Sequence, residues 1–509
     1  MKKIRKKKDK VALNPIFTFC LLIFGVIILS GILTLFNVSS TYNIISNNGS
    51  YVKELVTIEN LFSLSGIKYI FSNAVSNFVS FTPLAMFIIT LFGISIMDKS
   101  GFLDSLFYVL TRKVSKRVVT FVLSLVCIIS SIGGDLSYIV LIPIAGLLFK
   151  YGKRNPKAGI ICAFASLSCG IGINLFMSSI DASLLGYTTN AANLLIKDYT
   201  INPYCHLLIM VISIIALSFF ITAITEKVTI PKLGKYDFDE KEDILTKKER
   251  KGLFVALLAG FIYLLIFIYN IIPNVPFGGN LLDYHQELYI DKLFGYNSFF
   301  NQGFVFVVTL LFFILGLTYG LTTKTIKSQK DFSDALSYLL DGIGRVLVLI
   351  FFASTLIFIF KKTNIGLIIT SGFANLISSS GFTGLPLVLL LFILSILATL
   401  VVPSSISKWA VLSPSVVPTF MNAGLSPEFA TLLFRAGECV SYGLTPVMAY
   451  YVIYLAMLNI YSDDEEGIFG SLKYMIPYSL ATLALWLVLI IIFYVTGMPL
   501  GIGAHPGLW

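Results

Sequence analysis

Long apolar runs alternate with short polar connections along almost the whole chain. Six runs contain no Asp, Glu, Lys or Arg: residues 15–37, 81–97, 205–225, 252–272, 304–322 and 474–495. Each is close to the roughly 20 residues that cross about 30 Å of hydrocarbon. A run at 336–360 is similar but carries Asp341 and Arg345. Two longer runs, 158–196 and 428–461, contain Gly, Asn, Asp or Pro and predict broken helices. The pattern predicts an all-α polytopic membrane protein with about nine transmembrane helices.

Two segments do not fit a simple crossing. Residues 118–149 would form a helix about 48 Å long, but the middle, Ser130-Ser-Ile-Gly-Gly-Asp135, is a poor helix interior and both flanks are basic. Because positive flanks belong on the cytoplasmic side, we predict a re-entrant hairpin. Residues 385–421 are broken at 403–407 in a similar way, and counting the crossings places the ends of this second hairpin outside.

The two hairpins predict an internal repeat. In each half of the chain a helix precedes a hairpin, a broken helix and a further helix, and the hairpins open from opposite sides. Such an inverted-topology repeat is typical of secondary transporters. We predict five regions. Residues 1–14 form a basic cytoplasmic N-terminus, and residues 15–80 form a first helix with an external loop. Residues 81–226 form the first repeat, residues 227–334 form a linking region with a cytoplasmic loop and two helices, and residues 335–498 form the second repeat.

The composition narrows the class of protein. Of the 509 residues, 56% are hydrophobic and 13% are charged, against about 25% charged in a typical soluble domain, which excludes a soluble globule and a disordered chain. The net charge of +10 lies mainly in connections predicted to be cytoplasmic, as orientation in a membrane requires, and does not indicate nucleic acid. The six Cys have no metal-binding spacing. No nucleophile or cofactor motif indicates an enzyme.

Polar residues inside the apolar runs are the candidate functional groups, since lipid tolerates them only against protein or a watery cavity. In the first half these are Asp135 at the hairpin turn, and Asn174 and Asp181 in the broken helix. Freed carbonyl oxygens and a carboxylate suit Na⁺ or a proton. We therefore predict ion coupling at these residues, with a sodium site at Asn174 and Asp181. A kinked helix whose side chains cap its own backbone explains Asn174 equally well.

In the second half, the break at 403–407 starts a new helix, whose N–H groups and positive dipole end suit an anion. Ser404 and Ser405 add hydroxyls there, and Lys408 adds a cation. Trp409 can stack on an aryl group or simply fill the hairpin tip.

Arg435 and Glu438 lie three residues apart, on one helix face. They either neutralise each other or have separate roles in binding the substrate. In the second case Arg435 binds a substrate carboxylate and Glu438 titrates or orients it.

Around these residues the sequence resembles the AbgT family of p-aminobenzoyl-glutamate transporters, over residues 12–498. The strongest matches are Gly134-Asp-Leu-Ser-Tyr-Ile, Gly152-Lys-Arg-Asn-Pro, Ser407-Lys-Trp-Ala-Val-Leu-Ser-Pro414, Arg435-Ala-Gly-Glu438 and Thr445-Pro446. The resemblance implies a homodimeric carrier of nine helices and two hairpins in the bacterial inner membrane. It also implies coupling to Na⁺ or H⁺, with uptake of p-aminobenzoyl-glutamate or export of sulfonamides.

The family's functional positions map, through the same resemblance, onto Asp181, Trp409, Pro427, Arg435 and Pro446. This chain has Glu438 where the family usually has Asp, and Pro403-Ser-Ser-Ile406 where it usually has Gly-Ser-Ala-Ser. We therefore expect an ion-coupled transporter of aromatic carboxylates, with no cofactor other than the coupling ion. The alternatives are a dicarboxylate or citrate transporter of related architecture and an anion channel.

Overall fold

A computed structural model describes residues 13–45, 51–175, 177–234, 236, 245–287, 289–295, 298–462 and 465–508. The basic segment 1–12, predicted to be cytoplasmic, lies outside the described residues. The described part is mostly helical, with one two-stranded antiparallel sheet.

The elements fall into four groups along the chain. The first group contains α1 (Pro15–Leu35), β1 (Ser39–Ile45), β2 (Tyr51–Thr57) and α2 (Leu64–Val79). The first half then contains α3 (Thr82–Ser100), α4 (Phe102–Arg112), α5 (Lys116–Ile129), α6 (Asp135–Tyr151), α7 (Pro156–Cys169), α8 (Ser179–Ala192) and α9 (Leu207–Ile224). The linking region contains α10 (Ile230–Leu233), α11 (Lys247–Tyr269), α12 (Tyr289–Phe294), α13 (Phe299–Thr323) and α14 (Gln329–Ser337). The second half contains α15 (Gly344–Lys362), α16 (Ile365–Ser379), α17 (Gly384–Val401), α18 (Ser405–Asn422), α19 (Pro427–Ser441), α20 (Tyr451–Ile460) and α21 (Ile468–Thr496).

Eight helical stretches among the described residues are long and apolar enough to cross a membrane. Seven of them overlap predicted crossings, and the eighth is α17, the first arm of the predicted second hairpin. The two broken runs are not among the eight because each is divided into shorter helices. The re-entrant path of both hairpins and the number of nine crossings stay predictions.

All the predicted helix interruptions are present. A single 3-10 turn (Ser130–Gly133) separates α5 from α6, and three non-helical residues separate α17 from α18. The first broken run is divided between α7 and α8, and the second between α19 and α20. The sequence located these breaks because Gly, Pro and clustered Ser are poor helix interiors.

The two halves contain the same order of helices. Each begins with a long helix (α3, α15) and a shorter one (α4, α16), followed by two arms, two pieces of a broken helix and a final long helix. The halves interlock, because α8 packs against α18, α6 packs against α20, and α7 packs against α19. This packing brings both helix breaks of one half next to those of the other.

The connection between α1 and α3 contains strands β1 and β2 and helix α2, and its external position stays a prediction. Strands β1 and β2 pair in an antiparallel register that runs from Ser39 opposite Thr57 to Ile45 opposite Tyr51. The sheet contacts the second half, where Asn375 Nδ2 donates to the carbonyl of Thr41 (2.8 Å). A strand rich in Ser, Thr and Asn has too little apolar alternation to be distinguished from a polar loop.

Candidate functional site

Asp181 is held at the start of α8 by a capping box. The Ser178 hydroxyl accepts from the Asp181 N–H, while the Asp181 carboxylate accepts from the Ser178 N–H and hydroxyl. Asn174 Nδ2 donates to the same oxygen, Oδ2, at 2.6 Å. The non-helical backbone between α7 and α8 therefore fixes the carboxylate with its second oxygen, Oδ1, left for another partner.

That partner is Arg435 of α19, in the other half of the chain. Its Nη2 lies 3.1 Å from Asp181 Oδ1 and donates to the carbonyl of Ile171 (2.8 Å), a group freed by the break after α7. Its Nη1 donates to Glu438 Oε2 (2.7 Å) and to Ser405 Oγ (3.2 Å). The guanidinium therefore joins the two helix breaks directly.

Lys408 completes a buried chain of ion pairs. Its ammonium lies 2.9 Å from Glu438 Oε1 and also donates to Thr399 Oγ1 on α17. We name Asp181, Arg435, Glu438 and Lys408 the ion-pair chain. The side chains of Lys408 and Glu438 are 0% exposed, that of Arg435 is 4% exposed, and that of Asp181 is 22% exposed. With two cations and two carboxylates the chain is neutral, which fits a site of low polarity where an unpaired charge is costly.

Asn174 also ties the first hairpin to the ion-pair chain. The Ser131 hydroxyl, in the turn between α5 and α6, donates to Asn174 Oδ1 at 2.6 Å and lies 3.2 Å from the carbonyl of Ile173. Because Asn174 donates to Asp181 as well, a continuous run of hydrogen bonds leads from this turn to Arg435.

Trp409 is enclosed in the protein. It is 0% exposed, its indole N–H donates to Thr188 Oγ1 of α8 (2.9 Å), and its ring packs against Phe434 with centroids 4.7 Å apart. Thr188 in turn contacts Thr431 of α19 through their hydroxyls (2.8 Å). In this arrangement Trp409 joins α8, α18 and α19, and no face of the indole is open to a substrate.

The two prolines named by the resemblance lie apart from the ion pairs. Pro427 is the buried first residue of α19, about two helical turns before Arg435. Pro446 lies in the break between α19 and α20, next to Thr445, whose hydroxyl donates to the carbonyl of Leu400 (2.8 Å). Both shape the helix that carries Arg435, since Pro starts a helix well and cannot continue one.

A narrow cavity of about 50 Å³, the Asp181 cavity, reaches one end of the ion-pair chain. Its lining includes Asn174, Asp181, His206, Thr431 and Arg435. His206 Nε2 lies 2.8 Å from the carbonyl of Glu428, which can only accept, so Nε2 carries the proton. This cavity gives the guanidinium and the carboxylate a common opening.

A larger cavity of about 550 Å³, the tip cavity, lies where the two predicted hairpin tips meet. Asp135 enters it from the first tip, Ser404 and Ser407 from the second, and Tyr442 and Tyr450 from the break between α19 and α20. The Ser404 hydroxyl caps α18 by accepting from the Ser407 N–H (3.3 Å). The cavity combines aromatic rings, hydroxyls and a helix N-terminus, and its size accommodates a drug-sized ligand.

The structure therefore regroups the predicted site residues. Asn174, Asp181, Ser405, Lys408, Arg435 and Glu438 meet in one hydrogen-bonded cluster, whereas Asp135 and Ser404 line the tip cavity. Thr399, His206, Tyr442 and Tyr450 were not predicted from the sequence as site residues. Of these only Tyr442 and Tyr450 carry a local signal, because they flank a predicted helix break.

The oxygen atoms around Asp181 fit a coupling cation only after a change of partners. Both carboxylate oxygens already accept from Arg435, Asn174 or Ser178, and no group of three His, Cys, Asp or Glu residues suited to a metal occurs in the described part of the chain. A Na⁺ ion needs several oxygen ligands, so the sodium site at Asn174 and Asp181 stays a prediction.

Comparisons with known proteins identify relatives over nearly the whole chain. A family model described as "AbgT putative transporter family" matches residues 2–508. The p-aminobenzoyl-glutamate transport protein of Escherichia coli (strain K12) is 28% identical over 504 residues, which cover 97% of this chain and 94% of that protein.

Two solved structures are also similar to this chain. The Alcanivorax borkumensis YdaH transporter, described as having an unusual topology, has 28% identity and a TM-score of 0.49, over 96% of this chain and 100% of that one. Neisseria gonorrhoeae MtrF, described with a class of antimetabolite efflux pumps, has 29% identity and a TM-score of 0.49, over 96% and 97%.

Proposed function

This chain belongs to the AbgT transporter family, and from that premise we propose that it carries aromatic carboxylates resembling p-aminobenzoyl-glutamate across the bacterial inner membrane. The chain itself is a multi-pass membrane transporter of a small molecule, not an enzyme. The proposal extends to Na⁺ or H⁺ as the coupling ion, to a homodimer, and to a cytoplasmic N-terminus.

The observation that carries the substrate proposal is a buried arginine at the opening of a cavity. Arg435 lines the Asp181 cavity, and its guanidinium reaches Ser405, next to Ser404 of the tip cavity. Guanidinium recognises carboxylate through paired hydrogen bonds, and Tyr442 and Tyr450 supply ring surfaces in the tip cavity. The Escherichia coli relative is a p-aminobenzoyl-glutamate transport protein, whose substrate has both features, an aryl ring and carboxylates.

Proteoliposomes that contain the purified full chain test the proposal. We expect counterflow of radiolabelled p-aminobenzoyl-glutamate, competed by other aryl-glutamates more strongly than by succinate or by sulfonamides. Na⁺ and H⁺ gradients, varied independently, identify the coupling ion.

The variant Arg435→Ala should reduce this uptake about 100-fold or more, because a charge-assisted bond and the balance of the ion-pair chain are both lost. Arg117→Ala, at an exposed position on α5, is the matched control and should transport normally. Full uptake by Arg435→Ala would refute the substrate assignment. Competition by succinate but not by aryl-glutamates would select a dicarboxylate transporter.

A further inference from the structure

The Asp181 carboxylate occupies the place on Arg435 that a substrate carboxylate needs. Asp181 Oδ1 lies 3.1 Å from Arg435 Nη2, and Glu438 and Ser405 accept hydrogen bonds from Arg435 Nη1. Among these partners only Asp181 is appreciably exposed, at 22% of its side chain, and it shares the Asp181 cavity with Arg435. An anion that enters this cavity therefore meets Asp181 as the partner that can be exchanged.

The Arg435 guanidinium has an unused hydrogen-bond donor, because its Nε lies buried without a partner among the described residues. Arg offers five N–H donors, and a buried donor left unpaired is costly. A carboxylate that replaced Asp181 would bring a second oxygen for such a donor.

We infer that transport couples an anion to a cation by exchange at Arg435: the substrate carboxylate displaces Asp181, and the released Asp181 carboxylate binds the coupling cation. This inference rests on the proposed function, since it takes an anionic substrate as given. Only non-covalent partners are exchanged, and no covalent bond forms or breaks.

Charge balance supplies the physical reason for coupling. The ion-pair chain is neutral with two cations and two carboxylates, and three of its four side chains are at most 4% exposed. An anion added alone would leave one uncompensated negative charge in this site, which is strongly unfavourable. One cation taken up by Asp181 restores neutrality, so each ligand raises the affinity for the other, and this linkage is reciprocal.

The groups around Asp181 also fit its second role. Asn174 and Ser178 hold Oδ2, and the freed backbone between α7 and α8 lies beside them. Once Asp181 has left Arg435, the Ser178 hydroxyl and backbone carbonyls offer oxygen atoms to Na⁺, and Asn174 adds Oδ1 when its amide turns away from Ser131; alternatively the carboxylate takes up a proton.

Equilibrium binding to the purified full chain tests the exchange without a gradient. The probe is p-aminobenzoyl-glutamate, measured by calorimetry at a series of Na⁺ concentrations and between about pH 6 and 8, where its carboxylates stay ionised. In the wild type we expect the affinity to rise with the coupling cation, with one cation taken up for the substrate carboxylate that binds Arg435.

Asp181→Asn removes the competing charge and the cation site together. We expect it to bind the anion about tenfold more tightly at low cation concentration, a change of about 1.4 kcal/mol, and to lose the dependence on both Na⁺ and pH. Asp198→Asn, at an exposed position in the connection to α9, is the matched control and should keep the wild-type dependence. Loss of anion binding in Asp181→Asn, or a retained cation dependence, would overturn the inference.

Ser178→Ala provides a second variant if Asp181→Asn does not yield folded protein. It removes the hydroxyl donor to Asp181, so the carboxylate leaves Arg435 more easily. We expect anion affinity at low cation concentration to rise a few-fold and the cation dependence to weaken, because Ser178 also offers an oxygen atom to the cation; weaker anion binding would contradict the exchange.

Succinate as a parallel probe separates the two proposals. If the wild type binds succinate and not the aryl-glutamate, the substrate proposal fails and the exchange is judged on succinate by the same criteria. If neither anion binds, both fail.

Discussion

The breaks between α5 and α6 and between α17 and α18, which are the two predicted hairpin tips, occupy matching places in the two halves but are built from different chemistry. The first tip, residues 130–135, turns at Gly134, whose φ of 54° and ψ of −126° suit glycine, and no side chain caps α6. The second tip, residues 402–407, turns at Pro403 and has Ser404 as a hydrogen-bonded cap. One tip uses backbone freedom, and the other uses a rigid residue and a side-chain acceptor.

The tips also differ in how they connect to charge. Lys408, in the first turn after the second tip, is paired with Glu438, so movement of this tip disturbs the ion-pair chain. No ion pair joins Asp135 of the first tip to a residue that the structure describes. The two halves therefore have the same order of helices but contribute different charged residues to the ion-pair chain. The second half supplies both cations and Glu438, and the first supplies Asp181.

The largest expected effect comes from breaking the charge that holds the second tip. Glu438→Gln leaves two buried cations facing one carboxylate, and removal of one partner from a buried pair costs about 3–5 kcal/mol. We expect a large fall in the melting temperature of the purified protein, whereas Asp135→Asn at the first tip should change it little. Equal falls in melting temperature for the two variants would refute the claim that only the second tip is connected to the ion-pair chain.

The double variant Lys408→Met with Glu438→Gln sharpens this test. It restores neutrality by leaving only Arg435 and Asp181 charged, so it should be less destabilised than Glu438→Gln alone. A double variant that is at least as unstable would show that shape, rather than charge balance, holds the second tip.

The next effect concerns the turn of the first tip. Gly134→Ala should cost about 1–3 kcal/mol, because an L side chain is strained at this φ and ψ. Space is not the obstacle, since an added Cβ would meet no atom within 4 Å. Thermal unfolding measures the loss, and Gly186→Ala, within α8 and also without a near neighbour, is the control and should be neutral or slightly stabilising.

Ser404→Ala at the second tip should have a smaller effect. It removes one cap of α18, worth about 1 kcal/mol, while Pro403 still fixes the turn. Thermal unfolding and the Km for the aryl-glutamate separate two roles. A change in stability alone indicates capping, and an additional rise in Km indicates contact with the substrate in the tip cavity.

An effect similar in size to that of Ser404→Ala is expected at Trp409. Trp409→Phe keeps an aromatic ring against Phe434 but loses the indole donor to Thr188, which is worth about 0.5–1.5 kcal/mol. Because the ring is enclosed, aryl-glutamates and non-aromatic anions should be affected alike. A selective loss of aromatic substrates would show instead that the indole becomes open to them during transport.

The candidate site was only partly predictable from the sequence. Arg435, Glu438, Lys408 and Asp181 were identifiable because charge inside apolar runs is rare and functional. Their partnership was not, since Asp181 and Arg435 lie 254 residues apart and no local pattern relates them. The sequence assigned one to the ion and the other to the substrate, whereas the structure pairs them directly.

The sequence by itself determined the apolar helices and the places where they break, because hydrophobic length and poor helix interiors are local properties. Only the tertiary structure decided which break faces which, since α8 meets α18 and α6 meets α20 through packing between distant segments. It also decided that Trp409 is enclosed and that four charges cancel, because burial and ion pairing depend on what the rest of the fold brings alongside.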